Sequence, residues 1–326
     1  MKPTNNQARV VAHPNIALVK YWGKASVEGN IPAVASLSIT LDTLVSETKI
    51  TLHDKADDEI HLNGEPATNA VAARISRFLD LVWMQSDDPR RAQVHTDNNF
   101  PTAAGLASSA SGFAALALAA AKVYNVDLDD AALSALARQG SGSAARSVFG
   151  GFVEMQGPKI DNPCAVPLLD ADQWPLRVVV AITSTQAKTH LSTDGMNLTR
   201  DTSPFYGAWV DSQHEDMARA KSAVNERDFQ ALAAVSEYSC LKMHGLMLSA
   251  QPGLVYWNAA TLACLHKVRE LRDAGLDVFF TIDAGPQVKA VCTADAVAEV
   301  RAALNAVPGV VDTLEVGLGA GAQLVQ

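Results

Sequence analysis

The run PTAAGLASSASGFAALALAAA, from Pro101 to Ala121, constrains the fold more than any other part of the chain. Between Leu106 and Val123 it is dominated by alanine and interrupted by Ser108, Ser109, Ser111 and Gly112, so it reads as a buried helix rather than a membrane span. The loop ahead of it consists of small residues and feeds straight into the helix. Backbone N–H groups and the positive helix end therefore converge where a phosphate could approach without side-chain obstruction. The hydroxyls of Ser108 and Ser109 could bind phosphate oxygens or a Mg²⁺ ion. A tightly packed helix start built from small residues is the other reading. Neither GxxxxGK followed by Ser or Thr, nor GxGxxG, occurs in the chain, which excludes the common phosphate loop and the dinucleotide fingerprint.

Around this run the hydrophobic spacing switches between period 2 and period 3.6. Strands are expected at ARVVA near Arg9, through residues 36–53, at EIHL from Glu59 and at AQVHT, with a turn at Asn63 and Gly64. From Asn69, helical spacing puts Val71, Ile75, Phe78, Leu79 and Val82 on one face. Another helix starts at Asp129 or Asp130 and runs to Arg138, and GSGSAARSVFGGFVEM gives a loop, a short helix and a strand. A buried strand is expected over residues 176–183, then three helices over residues 204–270, the last with Leu254, Trp257, Leu262, Leu265, Val268 and Leu271 on its apolar side. The remainder reads as strand, a turn at Gly285 and Pro286, strand, an amphipathic helix over residues 297–304, and a strand at VDTLEV. That order has a ferredoxin-like character.

The 326 residues suffice for two lobes, and no linker separates them, so two lobes must interlock. Acidic residues number 35 against 26 basic, for a net charge of −9, and no Lys/Arg-rich segment could neutralise a row of phosphates. Nucleic acid is not an expected partner. A small anionic ligand fits even an acidic protein, because local lysines, arginines and helix N-termini can make a positive pocket. Neither an export signal nor a long uninterrupted apolar run is present, so a cytoplasmic location away from membranes is expected. Cys164, Cys240, Cys264 and Cys292 lie far apart without metal spacing and read as reduced, packed thiols.

Four blocks carry a resemblance that spans Asn15 to Lys289. They are NIALVKYWGK from Asn15, NFPTAAGLASSASGFAAL from Asn99, GSGSAARSVFGGF from Gly140 and DAGPQVK from Asp283. The second contains the PxxxGLxSSA pattern of the GHMP kinase superfamily, and together they resemble the mevalonate diphosphate decarboxylase family. The resemblance implies an α/β (α+β) protein with the two-lobed GHMP kinase fold. Its ribosomal-protein-S5-like N-terminal lobe would span residues 1–184 and its ferredoxin-like C-terminal lobe residues 185–326, around a central cleft. It also implies ATP and Mg²⁺, a mevalonate phosphate as substrate, and a homodimer. The implied reaction phosphorylates the 3-hydroxyl of mevalonate 5-diphosphate, then loses phosphate and carbon dioxide to give isopentenyl diphosphate.

Roles follow residue by residue from the same resemblance. Pro101, Ala104, Gly105, Leu106, Ala107, Ser108 and Ser109 would bind ATP, with Ser109 on the metal. Asp283 would orient or deprotonate the 3-hydroxyl; a lone aspartate before a Gly-Pro turn would otherwise read as a turn cap. Arg146 would grip the substrate carboxylate through its planar fork. Ser141, Gly142 and Ser143 would line the same place, with helix capping as an alternative for the serines. Tyr21 and Lys24 would hold the diphosphate, and Lys20 could face the cleft. In KTHLSTDGM, Lys188 and Ser192 would contact substrate or γ-phosphate.

Val34 and Ala35 stand before SLS where the family usually has Asn and Ser, and Leu191 and Thr193 also depart from its pattern. The His13–Pro14 pair is similar to relatives acting on the monophosphate, whereas Lys24 suits the diphosphate. The monophosphate decarboxylase, the 3-kinase and an ordinary small-molecule kinase are the alternatives to the diphosphate enzyme.

Overall fold

Alternating burial along residues 46–53, with every second side chain inward, marks a sheet that covers a core on one face. The structure is a computed structural model that describes residues 6–100, 108–186 and 190–325. Its first part runs β1 (Gln7–Ala12), β2 (Asn15–Val19), β3 (Lys24–Ser26), β4 (Ile31–Pro32), β5 (Ser36–Thr40), β6 (Ser46–His53), β7 (Glu59–Leu62), β8 (Glu65–Pro66), α1 (Asn69–Trp83), β9 (Arg91–Asn98), α2 (Ser108–Val123), α3 (Asp130–Gly140), α4 (Ala144–Ser147), β10 (Phe152–Met155) and β11 (Ala165–Leu169). The second runs β12 (Arg177–Ile182), α5 (Ser192–Thr202), α6 (Tyr206–Glu226), α7 (Phe229–Leu248), α8 (Ala259–Asp273), β13 (Val278–Thr281), β14 (Val288–Cys292), α9 (Val297–Asn305), β15 (Asp312–Gly317) and β16 (Gln323–Leu324).

Three larger sheets form, in the orders β16-β1-β6-β9-β7-β8, β11-β10-β5-β2 and β13-β14-β12-β15. Helix α2 is buried on most of its circumference, and its alanines let β1 and β6 approach on one side and α3 and α4 on the other. In the third sheet every pairing is antiparallel, and the order β12-α8-β13-β14-α9-β15 is the split βαβ of a ferredoxin-like unit, with α5, α6 and α7 inserted after its first strand.

Several expectations change. The strand reading of residues 36–53 breaks after Thr40, and its halves join different sheets, because Asp42 turns aside to accept the Gly317 N–H at 2.8 Å. Asn15–Val19, part of a motif in the sequence, is a fully buried strand, and the KTHLSTDGM segment continues into helix α5. Helix α8 begins after Leu254 and Trp257, since Asn258 caps it by accepting the Thr261 N–H at 2.8 Å. Strand β12 precedes residue 184 yet pairs with β14 and β15, so its hydrogen bonds lie within the C-terminal sheet. The turn at Asn63 and Gly64 has positive φ at both residues, as a tight hairpin requires.

The interlocking is visible in one apolar cluster. It joins Ile16, Leu37 and Phe152 of the second sheet to Val178, Phe279 and Val316 of the third, with Met217 and Leu232 from α6 and α7. Phe279 is fully buried there. Truncating Phe279→Ala is expected to cost about 3–5 kcal/mol. Because both lobes share this core, urea unfolding followed by circular dichroism should remain one transition shifted to lower urea; two separated transitions would contradict a common core.

Candidate active site

The site starts from an irregularity in β2. Its register against β5 slips between Ala17 and Val19, and the Ala17 carbonyl accepts from Lys20 Nζ at 2.9 Å and from Thr281 Oγ1 at 3.0 Å. Lys20 is thereby drawn under the end of β13, where its Nζ donates to Asp283 Oδ1 at 2.7 Å. Lys289 sits opposite Thr281 on β14, and its Nζ lies 3.4 Å from Asp283 Oδ2. Both lysine side chains are sealed from solvent, whereas the Asp283 side chain is 28% exposed. One carboxylate therefore sits between two buried cations and still presents an open edge. Burial alone would push its pKa up, but the charges and hydrogen bonds of Lys20 and Lys289 outweigh that effect and hold it well below the usual carboxylate range. Burial in turn depresses Lys289.

Arg146, on the short α4, is 2% exposed. Its Nε donates to Asn15 Oδ1 at 3.1 Å and its Nη1 to Ser36 Oγ. Asn15 is held in turn, its Nδ2 donating to Ser143 O at 2.9 Å and Ser147 Oγ at 2.8 Å. Among the described residues no carboxylate forms an ion pair with Arg146. Burial lowers its pKa to about 10, opposed by the charges of Tyr21 and Asp283. A buried guanidinium fixed by neutral partners is poised to take an anionic one.

Tyr21 lies beside this arginine, with the guanidinium carbon 5.8 Å from its ring centroid. Its hydroxyl is buried and has no hydrogen-bond partner among the described residues, and burial pushes its pKa up to about 12. A Cβ on Gly142 would overlap that hydroxyl, which is why glycine stands there. Lys24 Nζ donates to Asn30 Oδ1 at 2.7 Å; burial, then the charge of Arg74, lowers its pKa. Arg74 donates to Gly140 O at 2.7 Å, so a second patch of positive charge adjoins the turn before Ser141.

The serines converge as well. Ser109 Oγ at the start of α2 is 3.3 Å from Ser141 Oγ, which is 3.4 Å from Ser143 Oγ. Ser192 opens α5, whose Met196 packs with Trp22, Tyr21 and Ala284 in one apolar cluster beside Asp283. The expected residues Pro101, Ala104, Gly105, Leu106, Ala107 and Lys188 lie outside the described residues. Val34 packs in the Trp22 cluster and Ala35 against the central core, so these departures fill apolar positions. Leu191 stands at the start of α5 without a side-chain cap, and it is exposed.

Sequence reasoning assigned no role to Lys289, Asn15, Ser36, Asn30 or Arg74. Lys289 had a usable signal: six residues past Asp283 across a tight turn, it falls opposite the strand end that carries the carboxylate. Asn15 and Ser36 begin separate strands, and nothing local in the sequence points them at Arg146.

Comparison with known proteins gives this geometry a lineage. Residues 12–166 match the diphosphomevalonate decarboxylase-like N-terminal domain and residues 178–317 the mevalonate 5-diphosphate decarboxylase C-terminal domain. The human diphosphomevalonate decarboxylase is 37% identical over 313 residues, covering 89% of this chain and 78% of that protein, and the Candida albicans one is 35% identical over 86% and 82%. The mevalonate diphosphate decarboxylase structure from Staphylococcus aureus superposes with a TM-score of 0.93 at 36% identity, covering 98% of each chain. A structure described as MDDEF in complex with MVAPP, AMPPCP and magnesium gives a TM-score of 0.90 at 36% identity, over 98% of this chain and 99% of that one. With the two-domain GHMP kinase fold, both domain models and relatives over most of its length in common, this chain belongs to the diphosphomevalonate decarboxylase family.

Proposed function

We propose that the chain catalyses the ATP-dependent decarboxylation of mevalonate 5-diphosphate to isopentenyl diphosphate, releasing ADP, phosphate and carbon dioxide. One observation carries the reading: the Asp283 carboxylate, pinned between Lys20 and Lys289, stands near a buried Arg146 that has no carboxylate partner among the described residues. Two opposite demands of the substrate, an alcohol to be aimed and a carboxylate to be held, are met by these two groups.

A carboxylate held below its usual range is a weak base. Asp283 therefore acts chiefly by accepting the 3-hydroxyl hydrogen bond and aiming that oxygen at the γ-phosphoryl group, whose transfer needs little proton removal in advance. Departure of the phosphate from C3 leaves positive charge there, and the fixed negative charge of Asp283 stabilises it. The C1–C2 bonding pair then moves to form the C2–C3 double bond as carbon dioxide leaves. Arg146 holds the departing carboxylate until that step, with Ser141 and Ser143 beside it. Tyr21 and Lys24 serve the diphosphate end, and Lys188 and Ser192 contact substrate or γ-phosphate.

Ser109 would hold Mg²⁺ through its hydroxyl, with nucleotide phosphates completing an oxygen shell. Among the described residues no group of three or more His, Cys, Asp or Glu could hold a metal, which fits an ion carried by the nucleotide. Bound there, Mg²⁺ would neutralise phosphate charge. Among the described residues no helix is long and apolar enough to cross a membrane. A cytoplasmic homodimer, with its lobes dividing between β11 and β12, belongs to the same proposal.

With ATP, the enzyme is expected to release carbon dioxide from the diphosphate and not from mevalonate 5-phosphate. Asp283→Asn should lower kcat by about three orders of magnitude or more with little change in substrate binding. A phosphorylated acid that accumulates without gas, or an active Asp283→Asn variant, would overturn the reading. The pH dependence supplies a second check. The Asp283 pKa is depressed in the fold, so the folded carboxylate stays charged below the usual carboxylate range; its contribution to stability is complete above the ordinary aspartate value and is lost progressively as the pH falls from there through the lower folded value. Lys20→Met removes one of the two cations, so the acid limb of kcat/KM should move up by about one pH unit or more. An unmoved acid limb would show that the lysine does not control the carboxylate.

A further inference from the structure

Strand β13 is the edge of its sheet, so its N–H and C=O groups on the side away from β14 need other partners. Helix α7 lies along that side. The Phe280 N–H donates to Glu237 Oε1 at 3.2 Å, and two residues on the Ile282 N–H donates to Cys240 Sγ at 3.2 Å. The spacings match: period 2 repeats along the strand edge, and residues three apart share a helix face. Glu237 is fixed from behind by Arg272 Nη1 of α8 at 2.7 Å. The residue next to Cys240 holds the other half of the pair, because Ser239 Oγ accepts the Lys20 N–H at 3.0 Å. Adjacent residues of one helix thus grip the backbone immediately before Asp283 and at Lys20.

Cys240 both gives and receives. It is fully buried, and burial pushes its thiol up to about 11, so the proton is retained and the S–H can donate to Ile282 O, 3.6 Å away. His244, one turn further along α7, has its Nε2 3.3 Å from the same carbonyl and 3.3 Å from Trp257 Nε1. The indole can only donate, which assigns Nε2 as an acceptor and leaves the carbonyl to the thiol. Burial lowers the His244 pKa to about 3, in keeping with a neutral ring.

We propose that α7 acts as a surrogate edge strand, in which Glu237 and Cys240 are positioning residues that fix where Asp283 meets Lys20 and the substrate. An apolar side chain at 240 could pack as well but would leave the Ile282 N–H without an acceptor. The proposal rests on the reading of Asp283 as the catalytic carboxylate of the decarboxylation.

The test compares Cys240→Ala with Cys240→Ser, measuring kcat, both KM values and amide hydrogen exchange at Ile282. Cys240→Ala should lower kcat by about 10- to 100-fold, as a small misplacement of a reacting group does, with each KM changed by less than about threefold. Exchange at Ile282 should quicken. Cys240→Ser, which keeps an acceptor and a donor, should recover most of kcat and slow the exchange again. Wild-type kcat in Cys240→Ala, an equal loss in Cys240→Ser, or a loss confined to KM would overturn the proposal. Should Cys240→Ala not fold, Ser239→Ala carries the same test at Lys20, with the same expected loss in kcat at unchanged KM; wild-type kcat there would equally overturn it. Absence of carbon dioxide release by the unaltered enzyme would count against the decarboxylase reading, and the exchange comparison would then decide the clamp alone.

Discussion

The contact on which the site depends is the Asp283 carboxylate held between Lys20 and Lys289. Placing three charges at one strand end is costly unless each has an opposite partner, and here a single carboxylate compensates two buried cations. The arrangement leaves a net positive charge beside a third buried cation, Arg146. That surplus, more than any single residue, gives an acidic protein with a net charge of −9 a place for an anionic substrate.

Such an assembly needs a stiff support, and the fold supplies it by crossing the lobes over one core. Residue 20 follows a first-lobe strand, Asp283 and Lys289 come from a second-lobe hairpin, and the side chains packed behind them form one apolar cluster. Helix α6 pins the turn after β2 directly. Gln213 donates to Lys20 O at 2.7 Å, and Trp209 donates its indole N–H to Trp22 O at 3.1 Å. Glycine does the rest where surfaces must meet: a Cβ on Gly23, at φ 97°, would overlap the Tyr206 hydroxyl. The Tyr21 hydroxyl, without a hydrogen-bond partner among the described residues, and Arg146, held by the neutral Asn15 and Ser36, lie in the part of the site that this rigidity supports.

What could be read in the sequence was what repeats locally or stands together. Period 3.6 from Asn69 pointed to α1, the start signal at Asp129 or Asp130 pointed to α3 as far as Arg138, and the order of elements near the end pointed to the ferredoxin-like unit. Asp283, Arg146 and the serines came from family blocks, since their own neighbourhoods fit a turn cap and helix caps equally well. Residues whose meaning is set by distant partners were not legible. Asn15 acquires its role 131 residues away at Arg146, and Lys20 lies 263 residues from Asp283. The break after Thr40 has a faint local sign, since the apolar positions shift from Leu37, Ile39 and Leu41 to Ile50 and Leu52, but the contact that accompanies it, from the Gly317 N–H to Asp42, is long-range.

Titration of the Asp283 carboxyl by carbon NMR, with the residue isotopically labelled and assigned through Asp283→Asn, tests the central claim most directly. The account predicts a resonance that stays in its ionised position as the pH falls to about 4, near the ordinary aspartate value. A carboxyl that titrates at or above that value would show that the two lysines do not hold it charged, and would contradict the account.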